Sequence, residues 1–129
     1  MSGKYLLDTN IIIGLFAQEQ EILAHIEKAK RIFIPSIAIG ELHYGARKST
    51  RVDENLTRIN QLLAQSVILS SDEETGYWYG IVKDQLRRAG NPIPENDIWI
   101  AAIAIQRNLI LATRDKHFKI VDGLEIEMW

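Results

Sequence analysis

The sequence of 129 residues contains no cysteine, only three prolines and no long apolar run. Without cysteine there is no disulfide scaffold, no cysteine zinc site and no thiol nucleophile. The longest apolar stretch, residues 98–105, is too short to cross a bilayer. The N-terminus lacks the basic and apolar regions of a secretory signal peptide. We therefore expect a cytoplasmic protein with no membrane partner.

The sequence also lacks an excess of charge of one sign. Fifteen basic and seventeen acidic side chains give a net charge of −2, whereas proteins that bind nucleic acid through bulk charge are usually basic. Contact with nucleic acid would therefore need local basic patches, or metal ions that reverse the sign of an acidic site. The length and the apolar content of 47% are those of one globular domain, so we expect residues 1–129 to form a single domain.

Short apolar segments alternate with amphipathic ones along the chain. Strands are predicted at 5–7, 32–34, 67–69, 109–112 and, more weakly, 124–128, and helices at 11–16, 19–30, 35–48, 53–64, 71–88 and 96–106. Strands that are apolar on both faces and separated by helices are typical of a parallel sheet between helical layers. The pattern predicts an α/β fold with a short, mainly parallel sheet.

Local signals indicate where some of these helices begin. Thr9 or Asn10 is suited to cap the first helix, and Pro35 suits a first helical position. The Ser71 and Glu74 pair resembles a capping box for the long helix at 71–88.

Ligands of a parallel α/β sheet bind beyond the carboxyl ends of its strands. Four acidic residues of this sequence are expected near that edge. Asp8 directly follows the first predicted strand, and Asp115 follows the fourth. Asp97 opens the most apolar helix, which must pack centrally. Glu41 has small and apolar neighbours one helical turn away, so we expect its carboxylate to face at least partly inward.

Each of these acids also has a purely structural interpretation. Asp8 and Asp115 are of a type common in turns and caps, and Asp97 is favoured by the helix dipole at a helix N-terminus. Glu41 could form a salt bridge with a nearby base such as Arg47.

If the four carboxylates converge, they cannot all stay ionised unaided. Two unit charges about 5 Å apart repel by on the order of 3 kcal/mol at an effective dielectric near 20, so either protons or a cation must sit among them. An all-oxygen cluster selects Mg²⁺ or Mn²⁺ over zinc. The three histidines (His25, His43 and His117) have no metal-ligand spacing, and we assign them no catalytic role.

Four sequence blocks carry a resemblance to a known family. They are residues 6–10 (LLDTN), 35–42 (PSIAIGEL, with Gly45 one turn beyond Glu41), 96–102 (NDIWIAA) and 111–118 (LATRDKHF). Their order, spacing and strand–helix context resemble a PIN-domain nuclease, and most closely the VapC-like toxins of toxin–antitoxin pairs. The resemblance covers essentially the whole chain.

The resemblance implies a three-layer α/β/α PIN-like fold and a Mg²⁺- or Mn²⁺-dependent endoribonuclease. It implies that a metal-activated water attacks the phosphodiester and leaves a 5′-phosphate and a 3′-hydroxyl. The implied metal-binding acids are Asp8, Glu41, Asp97 and Asp115. Thr113 matches a family hydroxyl near the site, and Asn10 matches a position that helps to hold water or metal.

The resemblance also implies two protein partners. One is a second copy of the chain, in a homodimer, and the other is an antitoxin that inserts a segment, often with a basic side chain, into the acidic groove. The aromatic and apolar residues at 77–82 favour a core or dimer surface over a base-stacking platform.

Two basic clusters lie near the predicted acids. Arg47 and Lys48 follow Glu41, and Arg114 and Lys116 flank Asp115. We predict that these four side chains contact RNA phosphates. The alternative is that they are solvated charges at helix ends, which the helix dipole favours.

Two other function classes remain open at this point. One is a non-catalytic PIN-like module that uses its acidic groove to bind a basic partner. The other is a phosphatase or phospho-receiver on a similar sheet, although Asp8 is followed by Asn10 and not by the second aspartate of one such family. Cleavage of RNA, hydrolysis of p-nitrophenyl phosphate, or neither, separates the three classes.

Overall fold

The structure, a computed structural model, describes residues 3–129. The strands are β1 (Lys4–Leu7), β2 (Arg31–Pro35), β3 (Val67–Leu69), β4 (Ile110–Thr113) and β5 (Ile126–Met128). The helices are α1 (Thr9–Phe16), α2 (Gln20–Lys28), α3 (Ser36–Arg47), α4 (Val52–Ala64), α5 (Glu73–Ala89) and α6 (Glu95–Arg107), and a 3₁₀ helix spans Lys116–Ile120. None of these helices combines the length and apolar character needed to cross a membrane.

The five strands form one sheet in the order β3-β2-β1-β4-β5, and every neighbouring pair is parallel. The predicted α/β class with a parallel sheet is confirmed. Because β1 is the central strand and its neighbours run in the same direction, the segments that follow β1, β2 and β4 meet at one edge of the sheet. Asp8, α3 and the turn before the 3₁₀ helix start from this edge.

Helices cover both faces of the sheet and give two apolar cores. Leu6 and Leu111 pack with α5 and α6 on one face, whereas the next residues, Leu7 and Ala112, pack with α1 to α4 on the other. This alternation follows from the two-residue period of a strand. The all-apolar character of β1 and β4 therefore reflects burial on both sides.

Two of the predicted helix starts are wrong by one residue. Asp8, and not Thr9 or Asn10, caps α1, because its carboxylate accepts a hydrogen bond of 2.9 Å from the backbone nitrogen of Thr9. Pro35 is the last residue of β2 and precedes the first helical residue of α3, with an extended backbone at φ −75° and ψ 140°.

The capping box of α5 also lies one residue further along than predicted. The Asp72 carboxylate accepts from the backbone nitrogen of Thr75 at 3.0 Å, and the Thr75 hydroxyl accepts from the backbone nitrogen of Asp72 at 2.9 Å. Glu74 accepts instead from the indole nitrogen of Trp78. Thr75 is fully buried and fills the position that the prediction gave to Glu74.

We predict that Asp72→Ala lowers the melting temperature by about 4 °C, because the start of α5 loses its capping side chain. Ser71→Ala, the matched control, should leave it unchanged. Thermal unfolding followed by circular dichroism measures both variants. A larger effect from Ser71→Ala than from Asp72→Ala would contradict the assigned cap.

Candidate metal centre

An open cavity of about 550 Å³ lies at the carboxyl edge of the sheet. The structure brings the four predicted acids together around this cavity, which we call the acid cavity. Its lining includes Asp8, Glu41, Asp97, Asp115 and Asn10. The acids come from the end of β1, the middle of α3, the first turn of α6 and the turn after β4.

Asp8 serves as both a helix cap and a member of the acid cavity. It is only 5% exposed, and Oδ2 accepts a hydrogen bond of 2.7 Å from the Thr113 hydroxyl while Oδ1 accepts from the backbone of Thr9. Burial raises the pKa of Asp8 above its usual range, and the two hydrogen bonds oppose that shift. The charges of Asp115 and Glu41 raise the pKa further.

Thr113 joins two of the acids through one hydroxyl. It is fully buried at the end of β4, donates to Asp8, and accepts from the backbone nitrogen of Asp115 at 3.0 Å. This contact fixes the turn that carries Asp115. Asn10 has a similar role on α1, because its side-chain oxygen accepts from the backbone nitrogen of Arg114 at 3.3 Å.

Glu41 is more exposed than predicted. Its helix buries Ala38 and Leu42 against the core and leaves Glu41 exposed on the side that borders the cavity, so its carboxylate faces the cavity and not the apolar core. Within residues 3–129 Glu41 has no ion pair, with Arg47 or any other base. Thr9, considered only as a cap in the sequence, donates its hydroxyl to Glu41 Oε1 at 2.8 Å.

Asp97 and Asp115 are joined by His117, which the sequence patterns did not place in the site. His117 Nε2 lies 2.9 Å from Asp97 Oδ2, and His117 Nδ1 lies 3.1 Å from Asp115 Oδ1. Ligand atoms of these three residues all lie within 4.8 Å of one another, close enough to share an ion. His117 is therefore a member of the site that the sequence did not indicate, and its lack of a catalytic role stays a prediction. Its place two residues after Asp115 was the available signal, although the three histidines have no metal-ligand spacing among themselves.

The pKa of Asp97 is raised to about 6. Burial is the main cause and the charge of Asp8 adds to it, while the contact with His117 acts in the opposite direction. Asp97 does not cap α6, since its carboxylate is used by His117 and Pro94 occupies the cap position. Asp97 does lie in the first turn of α6, where the helix dipole favours its charge, but it makes no capping hydrogen bond.

The four predicted basic residues divide into two groups. Arg114 is used internally: its guanidinium contacts Glu19 at 2.5 Å and donates to the backbone oxygen of Trp129 at 3.3 Å. Arg47, Lys48 and Lys116 are exposed, and none forms an ion pair within the described part of the chain. These three are available to a ligand, whereas Arg114 holds the turn between α1 and α2.

The donor set of the acid cavity fits a hard divalent cation. The cavity is open and is bordered by four carboxylates, of which Asp8 and Asp97 have raised pKa values. Burial is the main cause of both shifts and the neighbouring carboxylates add to them, so a bound cation would favour the ionised forms. Oxygen ligands of this kind suit Mg²⁺ and Mn²⁺.

Comparison with known proteins identifies the class of this fold and site. The PIN-domain family model matches residues 5–124, and the chain belongs to this family. Its relatives include ribonuclease VapC2 of Haemophilus influenzae, 36% identical over 129 residues, and the tRNA(fMet)-specific endonuclease VapC of Salmonella typhimurium, 31% identical over 132 residues. Each alignment covers 98% of both chains.

Solved structures agree with this assignment. The crystal structure of VapBC2 from Rickettsia felis, bound to a DNA fragment from its promoter, contains a chain that superposes with a TM-score of 0.91. The identity is 30%, and 98% of both chains is covered. Within the PIN-domain family the chain therefore belongs to the VapC group, and the resemblance drawn from the four sequence blocks is confirmed.

We predict that Asp97→Asn stabilises the metal-free protein at pH 7.5 by on the order of 1 kcal/mol, a few degrees in melting temperature. The folded-state pKa of Asp97, about 6, lies above the ordinary value of 3.8. This carboxyl therefore binds protons more tightly in the folded state, and its ionisation destabilises the fold as the pH rises through 6. The advantage of the variant should shrink as the pH falls and vanish near pH 4.

Thermal unfolding in EDTA between pH 4 and pH 7.5 measures this difference. Asp122→Asn, at an exposed position outside the cavity, is the control and should show no such pH dependence. A destabilised Asp97→Asn protein at pH 7.5, or a difference that does not change with pH, would contradict the predicted origin of the shift.

Proposed function

We propose that this chain is a divalent-metal-dependent endoribonuclease and the toxin of a toxin–antitoxin pair. The observation that carries the proposal is the meeting of four carboxylates beyond the central parallel strands. The names of the full-length relatives, ribonuclease VapC2 and tRNA(fMet)-specific endonuclease VapC, support RNA as the substrate. We take residues 1–129 as one nuclease domain that acts in the cytoplasm.

Asp8, Glu41, Asp97 and Asp115 are the residues that would hold Mg²⁺ or Mn²⁺. A bound divalent cation supplies activation of water and neutralisation of charge on the phosphodiester oxygens. The overall reaction adds the water oxygen to phosphorus and breaks the bond from phosphorus to the 3′ oxygen. That oxygen takes up a proton, so the products carry a 5′-phosphate and a 3′-hydroxyl.

The remaining residues of the site position the acids and the RNA. Thr113 orients Asp8, and Thr9 orients Glu41, through the hydrogen bonds described above. Asn10 fixes α1 against the turn that carries Asp115 and lines the cavity, where we propose that it helps to position water.

Arg47, Lys48 and Lys116 are the basic residues that we propose as contacts to RNA phosphates. They are exposed, and they lie near Glu41 in α3 and next to Asp115 in the chain, so they flank the acids. Contacts of this kind bind the backbone without reading sequence. Arg114 is not included, because its guanidinium is engaged by Glu19.

An antitoxin is the protein partner that we propose for the groove beside the acids. A second cavity of about 310 Å³ shares Thr9, Ile13 and Glu41 with the acid cavity and is otherwise lined largely by apolar side chains, including Phe16 and Leu42. Ile13 is 57% exposed. A segment with apolar side chains and a basic residue would fit both cavities at once. The VapBC2 structure of Rickettsia felis supports this kind of partner.

A homodimer is the second assembly that we propose. Tyr77 and Ile81 lie one turn apart on α5 and are 62% and 44% exposed. Apolar side chains of this size on one helix face favour burial against a partner.

Cleavage of a mixed RNA pool by protein freed of co-purifying partner tests the proposed activity. We expect cutting with Mg²⁺ or Mn²⁺ and none with EDTA. Asp8→Asn and Asp97→Asn should each lose at least about 100-fold in rate, because each removes a charged ligand. Asp122→Asn should cut like the wild type.

Three other outcomes would overturn the proposal. A folded protein that binds a basic peptide but cuts no RNA under any condition would be a binding module. Hydrolysis of p-nitrophenyl phosphate without RNA cleavage would indicate a phosphatase. Cutting that survives EDTA and both substitutions would exclude the acid cavity as the catalytic site. Because Asp8 also caps α1, the melting temperature of Asp8→Asn must be measured beside its rate.

A further inference from the structure

His117 lies at the acid cavity but outside the four-acid pattern. Its two ring nitrogens contact carboxylates from two different elements, Asp97 in α6 and Asp115 in the turn after β4. Each carboxylate uses only one oxygen in this contact, Oδ2 of Asp97 and Oδ1 of Asp115. The second oxygen of each has no hydrogen-bond partner within residues 3–129.

The position of the His117 ring is set by packing and not by the acids alone. The next residue, Phe118, is fully buried in the core formed with α6. The two rings lie 4.8 Å apart between centroids and are tilted by 51°. His117 is therefore held at the edge of the cavity by an anchored neighbour, so the carboxylates can be oriented by the ring.

We propose that His117 is a positioning residue of the metal centre, a tether that holds Asp97 and Asp115 so that one oxygen of each stays free for the cation. The inference rests on the proposed function, because it assumes that the acid cavity binds a divalent ion. It assigns no direct bond between His117 and the ion.

The tether has a physical reason in the charges of the site. Asp97 and Asp115 are far apart in the sequence, but their charges repel each other in the fold. This repulsion would turn their side chains apart when no ion is bound. The contacts of one rigid ring with both carboxylates, 2.9 Å to Asp97 and 3.1 Å to Asp115, oppose this movement. A preorganised pair of oxygens binds an ion more tightly, and loss of such outer contacts typically weakens metal binding by about 10- to 100-fold.

Mn²⁺ binding, measured by electron paramagnetic resonance of the free ion, tests the tether without reference to activity. We expect His117→Ala to raise the Kd for Mn²⁺ by about 10- to 100-fold. His117→Gln, whose amide nitrogen can still donate to one carboxylate, should recover part of the affinity. His43→Ala is the control, because His43 lies on α3 and does not line the acid cavity. Melting temperatures show whether each variant is folded.

A second comparison separates the tether from a merely structural role. If His117 acts through Asp115, then His117→Ala should cost clearly less Mn²⁺ affinity in an Asp115→Asn background than in the wild type, as a double-mutant cycle measures. A structural role would lower the melting temperature and leave the Kd for Mn²⁺ unchanged. The spin-echo spectrum of bound Mn²⁺ should show no strong nitrogen modulation, since the imidazole is not a direct ligand.

Each remaining result would overturn the inference in a distinguishable way. An equal Kd for the wild type and His117→Ala would remove the tether and leave the proposed function intact. Strong nitrogen modulation, lost in His117→Ala, would make His117 a ligand and not a tether. Failure of the wild type to bind Mn²⁺ would overturn both the tether and the proposed metal-dependent function.

Discussion

Mutual repulsion among four carboxylates is the constraint on which the arrangement of the acid cavity depends. The sheet creates the problem, because a central parallel strand places the segments after β1, β2 and β4 at one edge. Contacts from the surrounding residues then hold each carboxylate in place despite this repulsion. Thr113 and the start of α1 hold Asp8, Thr9 holds Glu41, and His117 joins the other two acids. Even with these contacts the pKa values of Asp8 and Asp97 are raised, mainly by burial and further by the neighbouring carboxylates.

A group of partly buried carboxylates that repel one another is suited to bind a cation and, through that cation, a phosphodiester. The protein has a net charge of −2 and cannot attract RNA by bulk charge. A divalent ion would reverse the sign of the local charge in the cavity. Exposed basic side chains such as Lys48 and Lys116 would then hold the phosphate backbone of the RNA. This explains how an acidic chain of the VapC group can act on an acidic substrate. It also explains why a basic segment of an antitoxin would compete for the same cavity.

The fold and the four acids could be predicted from the sequence because both depend on local patterns. Strands that are apolar on both faces predict a parallel sheet, and acids that follow such strands predict a site at their carboxyl ends. Asp8 illustrates this, since it directly follows β1. The helix starts were placed one residue off at Asp8 and Asp72, because neighbouring residues of similar capping ability cannot be ranked without the backbone geometry.

The contacts that orient the acids could not be predicted, because they join residues far apart in the chain. Thr9 meets Glu41 across 32 positions, and Arg114 meets Glu19 across 95. These distances depend on how α1 and α3 pack, and on where the turn after β4 lies. His117 was missed for the same reason, since its partner Asp97 is 20 positions away on another helix.

The most direct test of the central claim, that the four acids form one divalent cation site, is a crystal structure with Mn²⁺ and its anomalous scattering. The account predicts an anomalous peak inside the acid cavity, within about 2.2 Å of carboxylate oxygens that include those of Asp8 and Asp97. Ordered carboxylates with no peak among them at saturating Mn²⁺, or a peak held by other residues, would contradict it.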